Sequence, residues 1–183
     1  MGRYSYSHKT TVEECKSINT KWLKDNGYFC GFKWGGMKWT NNTGEETGNI
    51  GFQVSIKDGD SYIRFQYSST DRSTQEKKEL DYKNSLVSTP CNYEGRRWWF
   101  ICGLIVNGNY CGRKVGKLYL VPGGIYFGCR HCYNLTYRSC QEHDNRIDRL
   151  MKNPFLLASL LDSKNPNMSF LAMKAYFKLT GKF

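Results

Sequence analysis

From Ile50 the chain alternates with period two. Ile50, Phe52, Val54 and Ile56 fall on one face, and Gly51, Gln53 and Ser55 on the other, which predicts a half-buried strand. Lys57-Asp58-Gly59-Asp60 follows as a hairpin turn. Tyr62 to Tyr67 answers as the partner strand, with Ile63, Phe65 and Tyr67 on the apolar face and Arg64 and Gln66 on the polar one. On either side the signals are shorter. Residues 1–16 are polar and without period, and read as a frayed or partly ordered arm. Ser17 to Asp25 predicts a short helix with Ile18, Trp22 and Leu23 inward and Asn26-Gly27 as its stop. From residue 28 onward come short extended runs, broken at Gly35-Gly36 and by a loop over 41–49. Ser68 to Glu79 reads as an exposed loop and Leu80 to Ser88 as a strand ended by Pro90. Arg96-Arg97-Trp98-Trp99-Phe100 reads as a further strand.

The second half predicts two short β runs, Lys117 to Val121 and Ile125 to Phe127, split by Pro122-Gly123-Gly124, with Tyr133 to Tyr137 as a third. Ser139 then caps a helix over about 140–152, with Glu142 completing a capping box. Pro154 starts a second helix through Leu161. Ser169 to Leu179 predicts a third, with Phe170, Met173, Tyr176 and Phe177 as its apolar side and Lys174 and Lys178 beside it.

Cysteine spacing adds the chemistry. Cys129 and Cys132 form a CxxC around Arg130 and His131, and Cys111 is followed by a glycine. Cys102 lies upstream, separated from Cys111 by a segment with the turn signal Asn107-Gly108-Asn109. Cysteine pairs at the ends of a β-hairpin are the pattern of a zinc ribbon, in which four thiolates close a tetrahedron around Zn²⁺. The expected ligands are Cys102, Cys111, Cys129 and Cys132, the long first spacing being an insertion that bulges out and leaves both ligands in place. Cys91, Cys140 and His131 are the alternatives to Cys102. The fold expected is therefore α+β: an N-terminal antiparallel β-sheet, a central four-cysteine zinc ribbon and C-terminal short helices. It divides into an arm (1–16), a β-rich domain (17–90), the ribbon (91–139) and a helical tail (140–183).

Composition narrows the function. Of 183 residues, 27 are Lys or Arg and 16 Asp or Glu, a formal charge of +11. Residues 1–90 are nearly balanced, so most of the excess lies on and after the cysteine region. Such a surplus suits a polyanionic partner. Aromatics make up 15% of the chain, which suits a small β core. There is no apolar run long enough for a bilayer and no apolar leader near Met1, so the expected location is cytoplasmic, with no membrane partner. In that compartment eight cysteines read as metal ligands and free thiols rather than disulfides.

The run TPCNYEGRRWWFIC and, after the insertion, CGRKVGKLYLVPGGIYFGCRHCYNLTYRSCQE resemble a family of uncharacterised zinc-ribbon proteins of bacteria, phages and other mobile elements. The resemblance is strongest over residues 89–142. It implies the metal site and a phage or mobile-element origin, and it implies no activity. Family members often have a compact CxxC at the first pair, from which the long spacing here departs.

Together these features predict a zinc-ribbon protein that binds nucleic acid, DNA or RNA, through a basic face. The residues expected to carry it are Arg96, Arg97, Arg113, Lys114, Lys117, Arg130, Arg138, Arg146 and Arg149. The alternative is a phage-type protein that binds and modulates a host protein, either a defence nuclease or the transcription machinery. An enzyme is not expected. The three histidines, His8, His131 and His143, form no hydrolytic pattern with nearby acids, and four thiolates leave zinc no open position for water.

Overall fold

A computed structural model describes residues 9–57, 59–70, 76–92, 95–141 and 143–181. Residues 1–8 of the N-terminal arm, Asp58 of the hairpin turn, residues 71–75 of the predicted loop and Glu142 of the capping box lie outside them. The chain forms two compact units, 1–137 and 138–183.

In the first unit the strands are β1 (Lys16–Asn19), β2 (Phe32–Thr40), β3 (Glu46–Ser55), β4 (Tyr62–Thr70), β5 (Lys77–Cys91), β6 (Gly95–Ile101), β7 (Ile105–Val106), β8 (Asn109–Tyr110), β9 (Lys114–Val115) and β10 (Lys117–Leu120). A short helix, α1 (Thr20–Asp25), follows β1. Six strands make one curled antiparallel sheet in the order β2-β3-β4-β5-β6-β9, while β1 pairs with β10 and β7 with β8.

This architecture corrects the expected α+β layout. The protein is mostly β, and the described residues show no separate central zinc ribbon, because the large sheet runs through the expected boundary at 90/91. The reason lies in β5. Its first part, Lys77 to Ser85, pairs with β4, and its last part, Leu86 to Cys91, pairs with β6. Past Ser85 the strand has a neighbour on one side only, so Pro90, with no N–H to donate, fits within it. Ile125 to Phe127 and Tyr133 to Tyr137 are not strands. The second run contributes only an isolated bridge, Thr136 to Thr11, and beyond the first lies one at Gly128 to Tyr119. Lys16 to Asn19 is a strand, and α1 begins only at Thr20, capped by Asn19, whose side chain accepts the Lys21 N–H at 2.9 Å.

The alternation of β3 and β4 holds as far as Val54, after which Ser55, expected on the polar face, is buried and Ile56 is half-buried. Ile50, Phe52 and Val54 and their partners Ile63 and Phe65 are buried, joined by Leu86 from β5 and Phe100 from β6. Ile18, Leu23 and Leu118 cover this face from β1, α1 and β10. Phe127 enters the same core from the loop before Cys129. Its ring lies 5.2 Å from Phe65, 5.8 Å from Tyr67 and 6.2 Å from Trp39. Gly35 is required here, since a Cβ would overlap the Tyr28 ring, which packs against Phe52 at 5.0 Å.

The second unit consists of α2 (Arg138–Gln141), α3 (Asn145–Met151), α4 (Pro154–Leu161) and α5 (Pro166–Thr180). Asp144, Asn153 and Asn165 cap the last three through side-chain oxygens, and Pro154 and Pro166 fill first-turn positions. Its core is Ile147, Leu150, Leu157, Ala172 and Ala175. The side of α5 expected to face inward, Phe170, Met173, Tyr176 and Phe177, is exposed. The helix packs through alanines instead, whose small side chains let neighbouring helices approach closely.

Phe127→Ala is expected to lower unfolding free energy by about 3–5 kcal/mol in a urea titration, as for other large buried rings. A loss below about 1 kcal/mol would contradict its place in the core.

Candidate metal centre

Three separate pieces of chain deliver four thiols to one point. Cys102 follows the end of β6. Cys111 follows β8, and Cys129 and Cys132 flank a tight turn after Phe127. The intervening residues 105–110 fold as the β7–β8 hairpin. Its turn residues Asn107 and Gly108 both have positive φ, 50° and 78°, the geometry of a type I′ turn that favours Asn-Gly. Three backbone bonds clamp the base of this insertion. Cys102 N–H donates to Arg113 O (2.9 Å), Gly112 N–H to Cys102 O (3.1 Å) and Cys111 N–H to Leu104 O (2.9 Å). The long spacing therefore leaves the two sulfurs as neighbours.

The four sulfur atoms lie within 4.8 Å of one another. Cys102 to Cys132 is 3.8 Å, Cys111 to Cys129 is 3.8 Å and Cys129 to Cys132 is 3.5 Å. Metal–sulfur bonds of about 2.3 Å in a tetrahedron give sulfur–sulfur edges of about 3.8 Å. A disulfide would need about 2.05 Å. The spacing is thus that of ligands around a common centre, and all four thiols are free.

Backbone donors complete the surroundings. Cys129 N–H points at Cys102 Sγ (3.3 Å), and Cys132 N–H at Cys129 Sγ (3.4 Å). The Leu104 and Arg113 backbones hydrogen-bond to the sulfurs of Cys102 and Cys111, each two residues on from its cysteine. Such bonds stabilise sulfur anions and orient them. Gly112, at φ 60°, supplies the left-handed backbone behind Cys111. At Gly128 a Cβ would come within 2.9 Å of Leu104 Cγ and of the Tyr133 ring, so only glycine fits there.

Electrostatics point the same way. Burial, the largest influence, raises the Cys102 thiol. Burial also raises Cys132, reinforced by hydrogen bonds with Cys111 and Cys129. At Cys111 burial pushes upward too, but the Arg113 backbone and the three other thiols offset it, and the net direction is down. Four thiols this close cannot all ionise unaided, because each new anion repels the rest. A bound divalent cation would supply the missing charge and turn all four into thiolates. Four soft sulfur donors in a tetrahedron suit zinc or iron.

Of the other candidate ligands, Cys91 is exposed at the end of β5, Cys140 is exposed on α2, and His131 is exposed between the two ligands of the CxxC. None belongs to the four-sulfur group. The basic residues divide between the units. Arg96 and Arg97 are exposed on β6, and Lys114 is exposed on the adjacent β9. Arg97 lies 4.3 Å over the Trp99 ring, whose indole N–H donates to Thr89 Oγ1 at 2.9 Å. Trp98 packs against Phe29 at 5.0 Å. Arg113 leads from Cys111 into β9. Lys117 opens β10, 5.9 Å over Tyr119, and Arg130 lies 5.2 Å over Tyr137. Arg138, Arg146 and Arg149 stand on α2 and α3, where Arg146 pairs with Asp144 at 3.0 Å. Among the described residues no helix is long and apolar enough to cross a membrane.

Cys129→Ser or Cys132→Ser is expected to abolish stoichiometric metal in purified protein, whereas Cys30→Ser, at an exposed site, keeps it; elemental analysis of the three variants checks this. Retention of full metal by either of the first two contradicts the ligand set. Because ligation needs deprotonated thiols, the wild type should also release its metal as pH falls. The chain matches no protein-family model, no curated protein and no solved structure.

Proposed function

We propose that the four cysteines hold Zn²⁺ as a closed structural centre and that the protein binds nucleic acid, DNA or RNA, through basic side chains carried by the backbone around it. One observation carries this reading. Arg113 and Lys114 closely follow a thiol of the cluster, and Arg130 lies between two others, so a bound metal fixes the positions of three cations. Arg96 and Arg97 extend the set along β6, the strand that leads into Cys102. A net charge of +11 supports a polyanionic partner. Zinc with four sulfur ligands has no open coordination position, which supports a structural rather than a catalytic role. A phage or mobile-element origin belongs to the same proposal and rests on the resemblance of residues 89–142.

A host protein as partner is the second reading. The β7–β8 hairpin favours it, since Ile105 (68% exposed) and Tyr110 (62%) project apolar surface beside the metal centre. Such side chains suit a protein interface better than a phosphate backbone.

Binding of metal-loaded protein to labelled duplex and single-stranded probes across a salt series separates the two. Affinity is expected to fall steeply with salt, with a log–log slope of about 0.9 per phosphate neutralised on duplex DNA. Changing Arg96 and Arg97 together to Ala is expected to reduce that slope by about two contacts' worth. No binding to any probe at low salt would overturn the nucleic-acid reading and leave the hairpin as the surface to pursue.

A further inference from the structure

The water-facing side of the large sheet carries an ordered set of side chains that neither the core nor the metal centre uses. In cross-strand register, Trp34 on β2 stands opposite Gln53 on β3, Gln53 opposite Arg64 on β4, and Arg64 opposite Lys83 on β5. Residues in register share a face, and the face opposite this row is the buried one of Phe52 and Phe65. In the next row of the same face, exposed Phe32 leads through Ser55, which is itself buried, to half-buried Tyr62.

Two features of this face call for a ligand rather than for packing. The first is its aromatic edge. Trp34 is 75% exposed and Phe32 is 56% exposed, on an edge strand with two residues' separation, about 7 Å along the strand. A side chain the size of Trp left in water contributes little to stability, so the fold gives no reason for it. The second is the bare strip beside Trp34. Gly36 stands opposite Gly51, and a Cβ at Gly36 would meet only Ile50 O at an ordinary 3.5 Å. The backbone there does not demand glycine, unlike at Gly35. The pair instead leaves flat sheet open next to the exposed ring.

The cations of the row are held in place. Arg64 donates to Asp81 through Nε and a terminal nitrogen, both at 2.5 Å, and Lys83 Nζ sits 4.2 Å from the Tyr62 ring centroid. Asp81 is also bound by Gln66 at 3.2 Å. Asp81 is thus already engaged, and Lys83 stands beside it with its charge facing an aromatic ring; Glu79, opposite Ser68, shares the face.

We propose that this face binds single-stranded nucleic acid running across the strands, with bases stacked on Trp34 and Phe32 and phosphates drawn to Arg64 and Lys83. The inference rests on the nucleic-acid reading above and adds a second, separate surface and a strand preference. Ring stacking needs bases whose faces are open, and a duplex hides them. Rings and amides on a sheet also suit neutral sugars. Lys83 decides between the two: among the described residues its ammonium group has no ion pair, so it draws a phosphate and gives an uncharged ligand nothing.

The test uses full-length, metal-loaded protein with a labelled oligothymidylate and a labelled duplex, read by fluorescence anisotropy at low salt. Trp34→Ala is expected to weaken oligothymidylate binding by about tenfold and to change duplex binding by less than about twofold. Gly36→Thr puts a branched side chain on the open strip. It is expected to cause a similar loss with an unchanged or higher melting temperature, since Thr suits a strand better than Gly. Wild-type binding that neither variant weakens overturns the sheet-face site and leaves the nucleic-acid reading standing. No binding of either probe by wild type overturns both. A sulfated polysaccharide that loses affinity as much as oligothymidylate does in Trp34→Ala would overturn base stacking as its source.

Discussion

Four thiolates within 4.8 Å of one another would repel strongly if uncompensated, whereas around a dication the same arrangement is favourable. Much of the first unit depends on that closure. It gathers the end of β6, the foot of the β7–β8 hairpin and the turn after Phe127, segments also tied by the backbone bonds at Cys102, Cys111 and Gly128. Joining such segments costs chain entropy, and a metal bound only in the folded state offsets it. The turn that carries Cys129 and Cys132 also carries Phe127, so holding the sulfurs holds a ring in the centre of the core. Metal site and hydrophobic core thereby form one cooperative object.

The large sheet then has two distinct faces. One is apolar and closed by α1, β1, β10 and Phe127. The other is open and carries rings, amides and cations in cross-strand rows. The proposed nucleic-acid contacts use both the surroundings of the metal and this open face. A polyanion would meet them through different side chains, phosphate-directed at Arg113 and Arg130 and base-directed at Trp34.

Local signals made part of this legible in the sequence. The period-two runs of β3 and β4 placed Ile50 to Val54 and Ile63 to Phe65 inside and Arg64 outside, because alternation reports a half-buried strand directly. Asn107-Gly108 marked the turn that keeps Cys102 and Cys111 together despite their spacing. The four sulfurs that the spacing nominated are the four that meet. What depended on distant pairing was not legible. Nothing local says that β5 changes partners at Ser85 and continues through Pro90, and this continuity is why no ribbon stands apart from the sheet. Ile125 to Phe127 looks like a strand by composition, yet Phe127 is apolar because it plugs the core. In α5 the large residues marked a face as inward, but close helix packing selected Ala172 and Ala175. The row from Trp34 to Lys83 was invisible because it exists only once three registers are known.

The central proposal is a tetrathiolate metal centre that holds the first unit together. Its most direct test is the unfolding of the protein as purified and after treatment with a strong chelator, with metal content measured on both. The structure predicts one metal ion per chain, and a cooperative transition that moves to much lower temperature, or disappears, once the metal is removed. Purified protein without metal, or an unfolding transition that chelation leaves unchanged, would contradict it.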